Sequence, residues 1–275
     1  MNLPNVAVVI SNYNYGDYVL DAVSSALEQD YKGQFRIYVV DDGSSDGSYE
    51  KLLAYAGEDV SSIIDTHQVT KPYYSGEMKL FQCSDLNLWC YRIENSGAST
   101  ARNVAIWESW QWADCFDTDD LYHPSKISKQ VEKLIEYDEI GVTYSDYIIH
   151  KSYGYNDYEK HEYKYPYSKF DLENQCIVHS AGIIKKKYLS KILLDNQEIY
   201  DSNLHGPGSQ EFIGCTEDYD LWLRLSNVCM MCHVPEPLSY VRETGLNQSM
   251  KMTADIFENN ANKIRSRNEQ IYSKN

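Results

Sequence analysis

The sequence predicts a mixed α/β fold with a mostly parallel central sheet, and three observations carry that prediction. Short apolar runs recur along the first 120 residues, helix-period stretches separate them, and each run stops at a cluster of polar residues. Strands buried on both faces read as continuous apolar runs, and parallel neighbours need a crossover between them, commonly a helix.

The first run, 6–10, ends in Ser11-Asn12-Tyr13-Asn14. From Asp17, the residues Val19, Leu20, Val23, Ala26 and Leu27 recur at helical spacing until Lys32-Gly33 breaks the pattern. A second run, 35–40, closes on Asp41-Asp42-Gly43-Ser44, so the two strands and the helix between them form a βαβ unit with a right-handed crossover. The stretch 49–90 starts helical and then loses any clear period. A strand at 88–93 leads into Asn95-Ser96-Gly97 and a helix through Arg102 to Ser109, and a short strand at 113–116 follows. Beyond it come an amphipathic helix marked by Ile127, Val131, Leu134 and Ile135, a strand at 141–149, a short helix at 216–225 with Thr216 as its N-cap, and a polar helical tail from 245. Every polar cluster before position 120 thus follows the carboxyl end of a predicted strand, the edge at which open α/β sheets bind ligands.

With 275 residues, 43% of them hydrophobic, the chain can bury a sizeable core. Its 41 acidic against 25 basic side chains leave a formal charge of −16, which disfavours nucleic acid or an anionic membrane as a purely electrostatic partner. No run approaches the roughly 18 apolar residues of a membrane span, and the start Met1-Asn2-Leu3-Pro4 lacks a signal peptide's pattern. The expectation is a soluble cytoplasmic protein. Seven cysteines without a disulfide spacing suit reduced thiols. Cys229-Met230-Met231-Cys232-His233 has the form of a haem attachment or half a zinc site, but no second cysteine pair follows, which favours buried structural thiols.

Asp117, Thr118, Asp119 and Asp120 put three carboxylates on one short turn. Anions this close repel unless a cation lies among them, and carboxylate oxygens suit a hard divalent ion such as Mg2+ or Mn2+, completed by substrate phosphates. An isolated cluster of this kind also reads as a solvated turn before the helix start His123-Pro124-Ser125. The tyrosine-rich stretch 151–170 reads equally as a sugar-stacking loop and as an exposed hairpin with half-buried rings. Lys185-Lys186-Lys187 reads as a solvated helix face.

Taken in order, five segments resemble the family 2 glycosyltransferases, inverting enzymes of the GT-A fold. They are Val8-Val9-Ile10-Ser11-Asn12-Tyr13-Asn14; Val39-Val40-Asp41-Asp42-Gly43-Ser44-Ser45-Asp46; Asn95-Ser96-Gly97 with Ala101-Arg102-Asn103; Phe116-Asp117-Thr118-Asp119-Asp120; and Glu217-Asp218-Tyr219-Asp220-Leu221-Trp222-Leu223-Arg224. The resemblance implies a Rossmann-like sheet flanked by helices. Residues 1–120 would form a nucleotide-sugar-binding half, 121–244 an acceptor-binding half with the catalytic base, and 245–275 a helical tail.

It also implies roles. Ser11 and Tyr13 would line the nucleotide pocket, Asp42 would accept a base N–H of uracil or thymine, and Arg102 would pair with the diphosphate or steady the Asp cluster. Asp119 and Asp120, with Asp117 supporting, would hold Mn2+ or Mg2+. Asp218 would be the base that deprotonates the acceptor hydroxyl, with Glu217 the next candidate. The donor would be a nucleoside diphosphate sugar, UDP-linked for preference, and the acceptor a carbohydrate or other hydroxyl-bearing molecule. Many family members carry an Arg-x-His near the end of the catalytic domain; here the residues are Tyr240-Val241-Arg242-Glu243-Thr244, without the histidine. Two other readings stay open: a nucleotidyltransferase of similar fold, and a non-catalytic carbohydrate-binding descendant.

Overall fold

The computed structural model of the protein describes residues 2–57, 65–118, 121–153, 156–178, 182–204, 216–243 and 253–272. The expected βαβ unit opens the chain as β1 (Val6–Asn12), α1 (Val19–Leu27) and β2 (Phe35–Asp41), with β1 and β2 parallel. Then come α2 (Ser48–Ala56), β3 (Asp65–Lys71), β4 (Tyr74–Cys83), β5 (Leu88–Ile93), α3 (Ala98–Ser109), β6 (Cys115–Thr118), β7 (Leu121–Tyr122) and α4 (Lys126–Glu136). The second half contributes β8 (Ile140–Tyr153), β9 (Asn156–Glu162), α5 (Lys169–Asn174), β10 (Ile183–Lys185), α6 (Lys186–Leu189), α7 (Glu217–Ser226), β11 (Met230–Glu243) and α8 (Ala254–Tyr272).

One sheet runs in the order β3-β4-β5-β2-β1-β6-β10-β8-β11-β7, with β9 paired to β8. The strands β5, β2, β1 and β6 at its centre are mutually parallel, as the sequence predicts. Antiparallel partners extend it on both sides: the β3–β4 hairpin beside β5, and β10 between β6 and β8. The periodless stretch after α2 is that hairpin. Of the seven residues of β3 only Val69 is buried, so the strand carries no apolar pattern to be read.

Alternation along the central strands divides the core in two. Ala7, Val9, Tyr38 and Val40 face the layer of α3 and α7, whereas Val6, Val8, Ile10, Ile37 and Val39 face α1, α2 and α4. Each such buried branched side chain contributes roughly 1.5–3 kcal/mol of burial. On α7 the fully buried Trp222 lies so close to β10 that a Cβ at Gly182 would meet its ring at 2.8 Å.

The expected C-terminal helix is α8, which buries Asn260, Ala261 and Ile264 and whose Arg267 pairs with Asp201 and with Asp220 of α7. One expectation needs correcting: the three lysines do not form a solvated helix face. Lys185 ends β10 and donates to the carbonyls of Tyr137 and Asp138, Lys186 donates to Trp110 O at 2.9 Å, and Lys187 pairs with Asp138. The tyrosine-rich stretch begins as the β8–β9 hairpin, with Tyr163 and Tyr165 exposed just beyond it. Cys229 and Cys232 are free thiols that donate to backbone carbonyls, and burial pushes Cys229 up to about 12. Among the described residues no helix is long and apolar enough to cross a membrane.

Candidate active site

Because β5, β2, β1 and β6 run in one direction, the segments that follow them emerge at one edge of the sheet. Val8 is level with Ile37 on one side and Asp117 on the other, so Ser11 to Asn14, Asp41 to Ser44, Asn95 to Gly97 and the end of β6 share that edge.

The first two of these segments are interlocked. Buried Asn12 donates from Nδ2 to Asp41 Oδ1 at 3.0 Å and to Ser44 Oγ at 3.2 Å, and the Asn14 N–H donates to Ser44 Oγ at 2.9 Å. Asn14 Oδ1 in turn accepts from the Ser45 N–H at 2.8 Å, and Asp46 Oδ2 from the Gly16 N–H at 2.7 Å. Fully buried Asp41 is balanced by Arg92, whose Nη1 lies 3.5 Å from Oδ2 and whose Nη2 donates to Ser44 O at 2.9 Å. The sequence assigns no role to Asn12 or Arg92. Asn12 lies inside the segment 8–14, but Arg92 carries no local signal, since its partner is 51 positions away.

That lattice fixes Asp42. Gly43, at φ +73°, lets the turn pass so close to Asn95 that a Cβ would meet its backbone nitrogen at 2.8 Å. Asp42 then accepts from the N–H groups of Ser96 at 2.7 Å and Gly97 at 2.8 Å, just before α3 begins. Burial to 3% exposure pushes its carboxyl up to about 6, against the pull of those two amides. Ser11 is half-buried, and the Tyr13 side chain is open to solvent at 47% exposure, as a stacking surface must be.

Arg102, on α3, makes an ion pair. Its Nη1 donates to Glu217 Oε1 at 2.7 Å, joining α3 to the first residue of α7, and its guanidinium lies 5.2 Å from the centre of the Tyr200 ring. The pair is no surface bridge: Glu217 is 2% exposed, and its Oε2 has no hydrogen-bond partner among the described residues. Burial opposes the charge on Arg102, but the carboxylates of Asp218 and Glu217 outweigh it and raise its pKa. Asp218, half-buried, follows Glu217 in the first turn of α7. Thr216 holds the N-cap position as expected, but its buried hydroxyl makes no capping bond.

Asp117 occupies β6, level with Ile183 as well as Val8, while Asp119 and Asp120 lie outside the described residues. Among the described residues no group of three or more His, Cys, Asp or Glu side chains is arranged to hold a metal ion. The donor set at 117–120 fits a hard divalent cation by its chemistry, with three carboxylates among four consecutive residues. Where the family's Arg-x-His would fall, Arg242 donates to Asp21 Oδ2 at 2.7 Å and to Tyr18 O at 2.9 Å.

Comparison with known proteins agrees with this geometry. Residues 7–73 match the family model Glycosyl transferase family 2. An uncharacterized glycosyltransferase of Rickettsia typhi is 28% identical over 82% of this chain, and the chain spans 60% of that relative's length. TuaG of Bacillus subtilis, described as a glycosyltransferase of teichuronic acid biosynthesis, is 31% identical over 48% of this chain and 43% of its own. Among solved structures, residues 1–349 of S. aureus TarS in complex with UDP superimpose with a TM-score of 0.61 at 14% identity, covering 96% of this chain and 65% of that TarS fragment. A mannosyltransferase from Pyrobaculum calidifontis, in complex with GDP-Man and Mn2+, does so at 0.55 and 15% identity, covering 87% and 56%. Over residues 7–73 the chain is similar to the family 2 glycosyltransferases, and it is built on the GT-A fold.

Proposed function

We propose that this protein transfers a sugar from a nucleoside diphosphate sugar to a hydroxyl acceptor, with inversion at the anomeric carbon, and that it does so in the cytoplasm. The observation that carries the proposal is the single sheet edge at which Tyr13, Asp42 and the end of β6 emerge from parallel strands, with Asp42 tied to the start of the helix that bears Arg102. The solved complexes of TarS with UDP and UDP-GlcNAc and of the Pyrobaculum mannosyltransferase with GDP-Man support a nucleotide-sugar donor, and TuaG's description supports a polysaccharide acceptor.

In this reading Tyr13 stacks on the base, and Asp42 uses a remaining lone pair to accept a base N–H, which favours a uridine donor. Asp117, Asp119 and Asp120 hold Mn2+ or Mg2+, which when bound neutralises charge on the departing diphosphate. Asp218 takes the proton from the acceptor hydroxyl as its oxygen attacks the anomeric carbon from the face opposite the leaving group. The new C–O bond forms as the bond to the nucleoside diphosphate breaks. Glu217 suits a different task from the base considered for it: buried and paired, it holds Arg102 beside Asp218.

The test is release of free nucleoside diphosphate from a panel of nucleotide sugars, with manganese or with chelator, by wild type and Asp218→Asn. Wild type hydrolyses one donor slowly and loses that activity with chelator. Once an acceptor is found, Asp218→Asn transfers at least about 100-fold more slowly while binding donor as wild type does. Unchanged transfer by Asp218→Asn removes the assigned base, metal-independent donor binding removes the role of the Asp cluster, and binding without turnover of any donor favours a carbohydrate-binding descendant.

A further inference from the structure

Lys164, two residues past β9, is placed by an anchored structure. Its backbone N–H donates to Asp146 Oδ1 at 2.7 Å. Asp146, buried in β8, also accepts from His233 Nε2 on β11 at 2.8 Å and from His161 Nε2 on β9 at 3.2 Å. The two imidazoles are themselves held, His233 stacked on Tyr144 with centroids 5.2 Å apart and His161 on Tyr163 at 3.9 Å. Three strands thus converge on one carboxylate, and that carboxylate sets the backbone of Lys164.

The half-buried ammonium of Lys164 lies 5.3 Å from the centre of the Tyr147 ring. The Cys176 thiol and two carboxylates act on it through space, and both carboxylates are engaged elsewhere: Glu162 pairs with Lys160, Asp146 with the two histidines. Among the described residues no carboxylate comes within ion-pair distance of Lys164 Nζ. In a chain with 41 acidic side chains, a partly desolvated cation left without one is a seat for an anion supplied from outside.

Its position ties the seat to the reaction edge. Thr143 of β8 is level with Ile183, which is level with Asp117, so Tyr147 lies further along β8 in the direction in which β6 runs out to the Asp cluster. Lys164 and Asp218 both act electrostatically on the thiol of Cys176, two residues past α5. Burial lowers the pKa of Lys164.

We propose that Lys164, seated over Tyr147, binds the anionic group of an acidic acceptor, a sugar carboxylate or a phosphate, on the Asp218 side of the site. Calling the occupant an acceptor rests on the transfer reaction proposed above; the anion seat itself does not. A cation over an aromatic face would draw an acidic glycan in by its charge and leave a neighbouring hydroxyl free for Asp218.

The experiment is reductive methylation of the whole protein at mildly alkaline pH, with the rate at Lys164 followed by mass spectrometry. The probes are methyl glucuronide, glycerol phosphate and neutral methyl glucoside. Lys164 reacts faster than the exposed Lys160, and a probe at ten times its dissociation constant slows that reaction about tenfold. Protection by the glucuronide alone assigns a carboxylate and protection by glycerol phosphate alone a phosphate; protection by both leaves the anion as the determinant. Lys164→Gln raises the dissociation constant of the protecting probe about tenfold or more, and Lys164→Arg restores most of the binding with unchanged circular dichroism. No protection by either anion, equal protection by methyl glucoside, or undiminished anion binding by Lys164→Gln overturns the proposal. Protection of Lys164 in a protein that hydrolyses no nucleotide sugar keeps the anion seat and removes its occupant's role as acceptor.

Discussion

Arg102 and Glu217, 115 positions apart, meet at 2.7 Å between Nη1 and Oε1 and fasten the helix behind the Asn95-Ser96-Gly97 turn to the helix that carries Asp218. Glu217 is 2% exposed and Arg102 18%, so the pair is largely withdrawn from water. Its value lies less in net attraction than in the cost of breaking it from one side.

Arg102→Ala therefore destabilises the protein by about 3–5 kcal/mol, because an ionised carboxylate is left buried without its partner. Adding Glu217→Gln to that variant recovers part of the loss. Urea unfolding of the wild type, both single variants and the double variant measures this as a coupling energy. A double variant whose loss equals the sum of the two single losses shows that the pair is uncoupled.

The Asp42 carboxyl, raised from 3.8 to about 6 by burial, holds its proton in the folded state at a pH where the unfolded chain has lost it. Its contribution to stability is full below pH 3.8 and declines as pH rises to about 6, by about 3 kcal/mol in total. The stability difference between wild type and Asp42→Asn should fall across that window, as read by unfolding titrations at a series of pH values. Affinity for uridine diphosphate should rise across the same window, since only the ionised carboxylate accepts a base N–H without competing as a donor. A difference that stays flat with pH shows that Asp42 titrates as an ordinary surface acid.

Arg267 joins α8 to the body of the protein through Asp201 and Asp220, and Asp220 also accepts from Arg224 Nε at 2.9 Å. Arg267→Ala leaves Asp201, at 2% exposure, without an ion-pair partner among the described residues, and lowers stability by about 3 kcal/mol. Arg267→Lys restores only part of that, because one ammonium cannot reproduce a fork that reaches two carboxylates. Thermal melting of the two variants decides it. A melting temperature unchanged in Arg267→Ala shows that α8 is held by its apolar contacts alone.

Much of this protein was legible in its sequence, because the signals concerned are local. Continuous apolar runs such as 6–10 report a strand buried on both faces whatever its neighbours, and 3.6-residue spacing from Val19 to Leu27 reports a helix facing one layer. The clusters at Asn12, Asp42 and Ser96 could be placed at one edge for the same reason, since parallel strands joined by helices must end together.

What only the tertiary structure decided are pairings between distant residues, which register and packing select and no local pattern encodes. The β3–β4 hairpin attaches through backbone hydrogen bonds and shows the sequence only one buried side chain in β3. Arg102 finds Glu217, Arg92 finds Asp41, and Arg267 finds Asp220 because the sheet and its helices bring them together and burial requires a counter-charge. The sequence therefore determined the opening βαβ unit and the edge at which the polar clusters of the parallel strands end. The folded chain determined which charges are spent on holding that edge together and which, as at Lys164, are left for a ligand.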